Sequence, residues 1–241
     1  MDFLTLEQYL GIKGIVVNER NFKRAENKSE FEDILNQVKL IARIHKILNG
    51  YPYGLSPSVK CKIGEDIEEM NFLYKKINKS FSMDCFPENI RKKVMEILIK
   101  AKGSIDYIKK YDYLSLFKRA MDNGEMILGD CGFKDLRGES SIEISSMKGI
   151  SYNITEIDYG KFFVKLKRYR IANFCDELIS CVVKEENLSS NSGNFLRGYV
   201  SYPHQTLNML QKYKDGKIQY DEETFCLKFM KSYNSDCSEG L

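Results

Sequence analysis

The sequence predicts a mainly α protein with one small β-hairpin, an α+β fold in a chain of 241 residues. Two observations predict it. Apolar residues recur at helical spacing in stretch after stretch, each bounded by a glycine, a proline or a capping side chain. Only "SIEISSMKGISYNITEID", residues 141 to 158, changes to β-branched residues in Ile-x-Ile alternation. With 43% hydrophobic residues there is material for a sizeable core, and the chain reads as one domain over 1–241.

Each element has its own warrant. Ser29 and Glu32 have the spacing of a capping box, after which Phe31, Ile34, Leu35, Val38, Ile41, Ile44 and Leu48 form a helical stripe that Gly50 stops. "GYPYGLSPSVK" follows, its prolines and glycines marking an ordered loop or crossing segment. Ile67, Met70, Leu73 or Tyr74, Ile77 and Phe81 mark a second helix. Pro87 opens a third, running through Ile90, Val94, Ile97, Leu98 and Ala101. Asp112 is placed as the N-cap of a fourth, which Asn123-Gly124 terminates. The hairpin then turns at Lys148-Gly149. Helices resume over 168–183, 202–213 and 221–233, with the polar "KEENLSSNSGN" as a separator and 234–241 as a flexible tail.

Composition excludes several classes. Acidic and basic residues are interleaved and nearly balance, at +3 overall, so no strong field draws the chain to nucleic acid or an anionic membrane. "MDFLTLEQYLGIKG" carries Asp2 and Glu7 and does not read as a signal peptide, and no apolar run approaches the roughly 20 residues of a membrane helix. The cysteines are odd in number, widely spaced and without C-x-x-C, which fits free cytosolic thiols better than a metal site. His45 falls in the buried stripe of its helix and reads as a structural imidazole; His204 follows Pro203 at a helix start. The 15 Tyr and 14 Phe read as core filling.

The chemistry-bearing candidates are acidic. In "MILGDCGFKDLRG", Asp130 and Asp135 lie between the fourth helix and the first hairpin strand, and Asp158 follows the second. A loop, hairpin and second loop bring three carboxylates together. In phosphoryl transfer one carboxylate orients the attacking hydroxyl while others hold magnesium. The same spacing equally allows Asp130 and Asp135 as turn residues and Asp158 as a cap.

"GDCGFKDL", "ITEIDYGKF" and "RIANFCDELI" resemble the catalytic loop, metal loop and following helix of the spore coat protein CotS family. Those proteins are relatives of aminoglycoside and choline phosphotransferases, with a protein-kinase-like fold. "LIARIHKILNGY", "KCKIGEDI" and "YVSYPHQTLNMLQKY" are similar to further family segments in the same order, and "FLTLEQYLGIKG" resembles the hinge strand and its exit. The resemblance implies a C-terminal lobe of that fold: residues 1–28 as a hinge-like lead-in, Asp130 as the catalytic-loop aspartate, and Asp135 and Asp158 as possible magnesium ligands. It also implies that the nucleotide lobe is missing, with its Gly-rich cover and its lysine.

The departures from the family pattern weigh against turnover. Its His is Leu128 here, its Asn is Asp135, and the acidic residue that braces the catalytic-loop backbone falls on Arg170, which cannot accept those amides. Losing one such charge contact costs about 100- to 1000-fold, roughly 3 to 4 kcal/mol. The expectation is a catalytically inactive relative with a structural or binding role in spore coat assembly. It would be made in the mother-cell cytoplasm and would meet other coat proteins, with no cofactor, no nucleic acid and no membrane as partner. The alternative is a phosphotransferase using ATP and Mg on a small hydroxylated substrate, with a nucleotide lobe from elsewhere.

Overall fold

A computed structural model describes residues 4–18, 31–51, 59–138, 141–168, 175–218 and 220–237. It is mainly helical with two small mixed sheets, in agreement with the α+β expectation. The proposed capping residue Ser29, most of the proline-rich loop, and Arg170 fall outside the described residues.

The first element among the described residues is a helix where a hinge strand was expected. Thr5 and Gln8 close a capping box on α1 (Leu6–Ile12), and Tyr9 and Leu10 bury themselves in the core. After β1 (Ile15–Val17), α2 (Phe31–Leu48) follows the predicted stripe. At its end the Tyr9 hydroxyl donates to the Ile47 carbonyl, in the space where a Cβ on Gly50 would sit. Beyond β2 (Lys60–Cys61) comes α3 (Glu65–Ser82), then a 3-10 turn over Glu88–Ile90, then α4 (Arg91–Lys110). In α5 (Leu114–Asn123) Gly124 takes the left-handed C-cap, while the N-cap is Tyr113, one residue after the expected Asp112, whose carboxylate still accepts from Ser115 N at 3.3 Å.

The predicted hairpin is corrected. The strands it contained, β5 (Ile142–Ile144) and β6 (Ser151–Tyr152), lie in different sheets. β5 pairs antiparallel with β4 (Leu136–Gly138) and parallel with β1, whereas β6 pairs antiparallel with β3 (Met126–Ile127) and parallel with β2. Lys148-Gly149 therefore passes from sheet to sheet, and Gly149 crosses the Leu128–Gly129 backbone so closely that a Cβ there would lie 2.6 Å from Leu128 O.

The remaining helices are α6 (Glu156–Arg168), α7 (Cys175–Glu185), α8 (Ser190–Ser201), α9 (His204–Lys214) and α10 (Glu222–Cys237). Helix α8 occupies much of the presumed Ser/Asn separator, and α10 extends into the presumed tail, where Asp236 is buried. One core gathers α1, α2, α7 and the loop strands; the other gathers α3, α4, α9 and α10, with α6 and α8 contributing to both. Tyr159, Tyr202, Phe195, Phe225 and Phe229 are among its largest fully buried side chains, so many aromatics do fill the interior. Among the described residues no helix is long and apolar enough to cross a membrane.

Glycines let α8 sit close to its neighbours. A Cβ on Gly198 would fall 2.4 Å from Ile108 Cγ1 on α4, and one on Gly160 of α6 would fall 2.5 Å from the Tyr199 ring. Gly198→Ala and Gly160→Ala should each destabilise the fold by about 1 to 3 kcal/mol in urea denaturation, as overpacked contacts do. Unchanged midpoints would show that the helices are not packed this tightly.

Candidate functional site

The loop from Leu128 to Leu136 links β3 to β4 and carries Asp130 and Asp135. Inside it the Gly132 carbonyl accepts from the amides of Asp135 and Leu136, and the rest of the loop is held from outside. From α2, Gln37 Nε2 donates to the carbonyls of Cys131 (2.9 Å) and Leu136 (3.0 Å), tying both ends of the turn. From the first turn of α6, the Asp158 carboxylate accepts the amides of Leu128 and Gly129, each at 2.8 Å. Gly129 has φ +92, and a Cβ on it would meet the Gly149 backbone at 2.7 Å, so the segment needs glycine on both conformational and steric grounds.

Asp158 is fully buried and gains a third partner in His45 of α2, whose Nε2 lies 3.0 Å from Oδ2. The other ring nitrogen, Nδ1, lies 2.7 Å from Glu186 Oε1, which also accepts the Tyr159 hydroxyl at 2.7 Å. Ionised carboxylates accept and do not donate, so a ring with one on each side is an imidazolium. Burial alone would depress His45, yet the two carboxylates outweigh it and raise its pKa to about 9. Burial likewise pushes Asp158 up, but His45, the Cys131 thiol and the Leu128 amide hold it below the usual carboxylate range.

A second ionic knot fixes where α6 begins. The Arg119 guanidinium bonds both oxygens of Glu125 (2.6 and 3.0 Å) and both of Glu156 (2.9 and 2.8 Å), and reaches Ser192 Oγ at 3.1 Å. All five N–H donors are used. Because Glu156 is fully buried two residues before Asp158, this knot sets the position from which Asp158 reaches the loop.

The three predicted carboxylates are therefore divided. Asp130 is two-thirds exposed and Asp135 less so, and Lys165 of α6 bridges them, with Nζ 2.6 Å from Asp130 Oδ1 and 3.3 Å from Asp135 Oδ2. Asp158 faces the protein interior, its oxygens occupied by Leu128, Gly129 and His45. Among the described residues no group of three or more His, Cys, Asp or Glu side chains is placed to hold one metal ion. Among the described residues, the side chain that holds the Leu128 and Gly129 amides is Asp158, and the cation that meets Asp130 and Asp135 is Lys165.

Sequence reasoning missed Gln37, Lys165, Glu186 and the Arg119 knot. Gln37 and His45 carried a signal, since both are polar residues in the apolar stripe of α2, spaced by two turns around Ile41. Glu186 carried none. No protein-family model and no curated protein matches the chain.

The His45 pair gives a pH prediction with a definite sign. A folded-state pKa near 9, against about 6.5 unfolded, means its stabilisation is complete below pH 6.5 and is lost as pH rises through 9. The stability difference between wild type and His45→Gln should thus shrink by about 3 kcal/mol between pH 6 and 9.5 in denaturant titrations. A difference independent of pH would show that His45 is neutral in the folded protein.

Proposed function

We propose that this chain is a lobe of protein-kinase-like type that serves as a binding or structural protein of the spore coat and does not transfer phosphate. The observation that carries the reading is the division of its acidic residues: Asp158 is spent inside on the Leu128 and Gly129 amides, and Asp130 and Asp135 are paired with Lys165. The kinase-like part of the reading is supported by the order strand, acidic loop, hairpin β4–β5, crossing strand and helix, with a carboxylate from that helix holding the loop backbone. The coat assignment rests on the sequence resemblance.

A magnesium-nucleotide site needs several oxygen ligands with free lone pairs. Here one carboxylate is sealed and two share an ammonium group. The trio of Asp130, Asp135 and Lys165, at a net charge of −1, attracts a divalent ion far less than three unpaired carboxylates would. One observation favours the phosphotransferase alternative: Asp130 is 66% exposed on a braced loop, and a surface ion pair of this kind is worth only about 0 to 1 kcal/mol, so Lys165 is displaceable.

Calorimetric titration with Mg-ATP and a coupled ADP-release assay with sugars, aminoglycosides and choline-like alcohols decide between the two. The proposal expects no saturable heat and no turnover in wild type, in Lys165→Met or in Asp130→Ala. Turnover in wild type that disappears in Asp130→Ala would establish the phosphotransferase. A fluorescent fusion should gather on the forespore coat in sporulating cells; an even cytoplasmic signal would remove the coat assignment.

A further inference from the structure

The strongest unassigned feature lies at the C-terminal end of α10. Lys167, on α6, is only 3% exposed, and its Nζ donates to two backbone carbonyls, Asp236 O at 3.1 Å and Val200 O at 3.5 Å. Lys100 of α4 donates to the same Asp236 carbonyl at 2.6 Å. Two ammonium groups thus converge on one neutral oxygen. The carbonyls of a last helical turn have no partner within the helix, so Asp236 O is a natural acceptor; the unusual part is the doubled positive charge.

The side-chain carboxylate of Asp236 is engaged elsewhere. Asp236 Oδ2 accepts Thr206 N and Thr206 Oγ1, each at 2.8 Å, which fastens α10 to the start of α9. Asp236 is therefore the point where α4, α6 and α9 all grip α10. Among the described residues, the titratable and charged groups facing Lys167 are Lys100 of α4, Asp236 and Cys237 of α10, and Cys175 of α7. This buried ammonium has, among the described residues, no carboxylate bonded to it and lies beside a second ammonium, which costs free energy; loss of one proton removes that cost while leaving amine N–H groups to hold the carbonyl.

We propose that Lys167 is a proton-operated latch on the C-terminal helix, loosening α10 when it is charged and closing it when it is neutral. The direction follows from its surroundings. Burial first, and Lys100 second, bring Lys167 down to about 8, against 10.5 for a solvated lysine. A docked state that gives up its proton before the released state does becomes more favoured as pH rises from about 8 to 10.5, and less favoured below 8. Opening of α10 should therefore fall roughly tenfold between pH 6.5 and 9. Release at the lower pH would uncover Phe225 and Phe229, which are fully buried in the core cluster they share with residues of α3, α4 and α9.

Trypsin reports this opening, because Lys228 and Lys231 are exposed on α10 but a helix must open to enter the protease. Cleavage after these residues is followed at pH 6.5 and pH 9 and normalised at each pH to an unstructured reference peptide. Wild type should show a roughly tenfold fall at the α10 sites, with no parallel change after Lys75 of α3. Lys167→Met should cut slowly at both pH values. A flat wild-type response, a fall that persists in Lys167→Met, or an equal change at Lys75 would overturn the latch. Should Lys167→Met fail to fold, Lys100→Met provides the test: with the neighbouring charge removed, the fall should move to higher pH, and an unmoved midpoint would overturn the proposal.

Discussion

The buried Asp158 carboxylate is the contact on which the loop architecture depends. It accepts two successive backbone amides from the 128–129 segment, which could not otherwise be satisfied where Gly129 and Gly149 press backbone against backbone. An ionised carboxylate at 0% exposure needs a counter-charge, and His45 supplies it. His45 in turn needs a second acceptor for its other nitrogen, and Glu186 supplies that. Each requirement recruits another element, so one side chain links α6, the loop, α2 and the segment after α7. Removing a single member of such a chain strands a buried charge, at a cost of about 3 to 5 kcal/mol.

That commitment bears on chemistry as well as stability. A carboxylate used to hold backbone cannot also present lone pairs to a metal, and the two acidic residues left at the surface carry their own ammonium partner in Lys165. The loop keeps a rigid scaffold while its charge is largely balanced internally. Such an arrangement suits a surface retained for what it contacts.

The parts of the fold legible in the sequence were those written in periodicity. The stripe of α2, the stripes of α3 and α4, and the glycine stop at Gly124 all reflect one buried face and one chain break, and each holds. The hairpin failed because alternation identifies strands but does not choose partners: Ile142–Ile144 and Ser151–Tyr152 look joined in sequence, yet β4 upstream and β3 before the loop offer the closer antiparallel mates. Helix α8 was hidden by its Ser- and Asn-rich start, where weak intrinsic propensity is overridden by burial of Phe195, Leu196 and Tyr199. At the site, the presence of Asp130, Asp135 and Asp158 was legible. Their division was not, because it depends on Asp158 opening a helix and pointing inward toward partners 30 and 113 residues away in sequence. Burial of this kind leaves no mark on spacing.

The central claim is that Asp158 is a structural carboxylate shut off from solvent cations. Carboxyl carbon NMR of aspartate-labelled protein tests it directly, by following each aspartate resonance during a magnesium titration at neutral pH and then during acidification. The account predicts that the Asp158 resonance ignores magnesium at every concentration and stays ionised to a pH below that of an ordinary aspartate, until the fold itself is lost. A magnesium-dependent shift of Asp158 together with Asp130 and Asp135 would contradict it, and would restore the three carboxylates to one shared metal site.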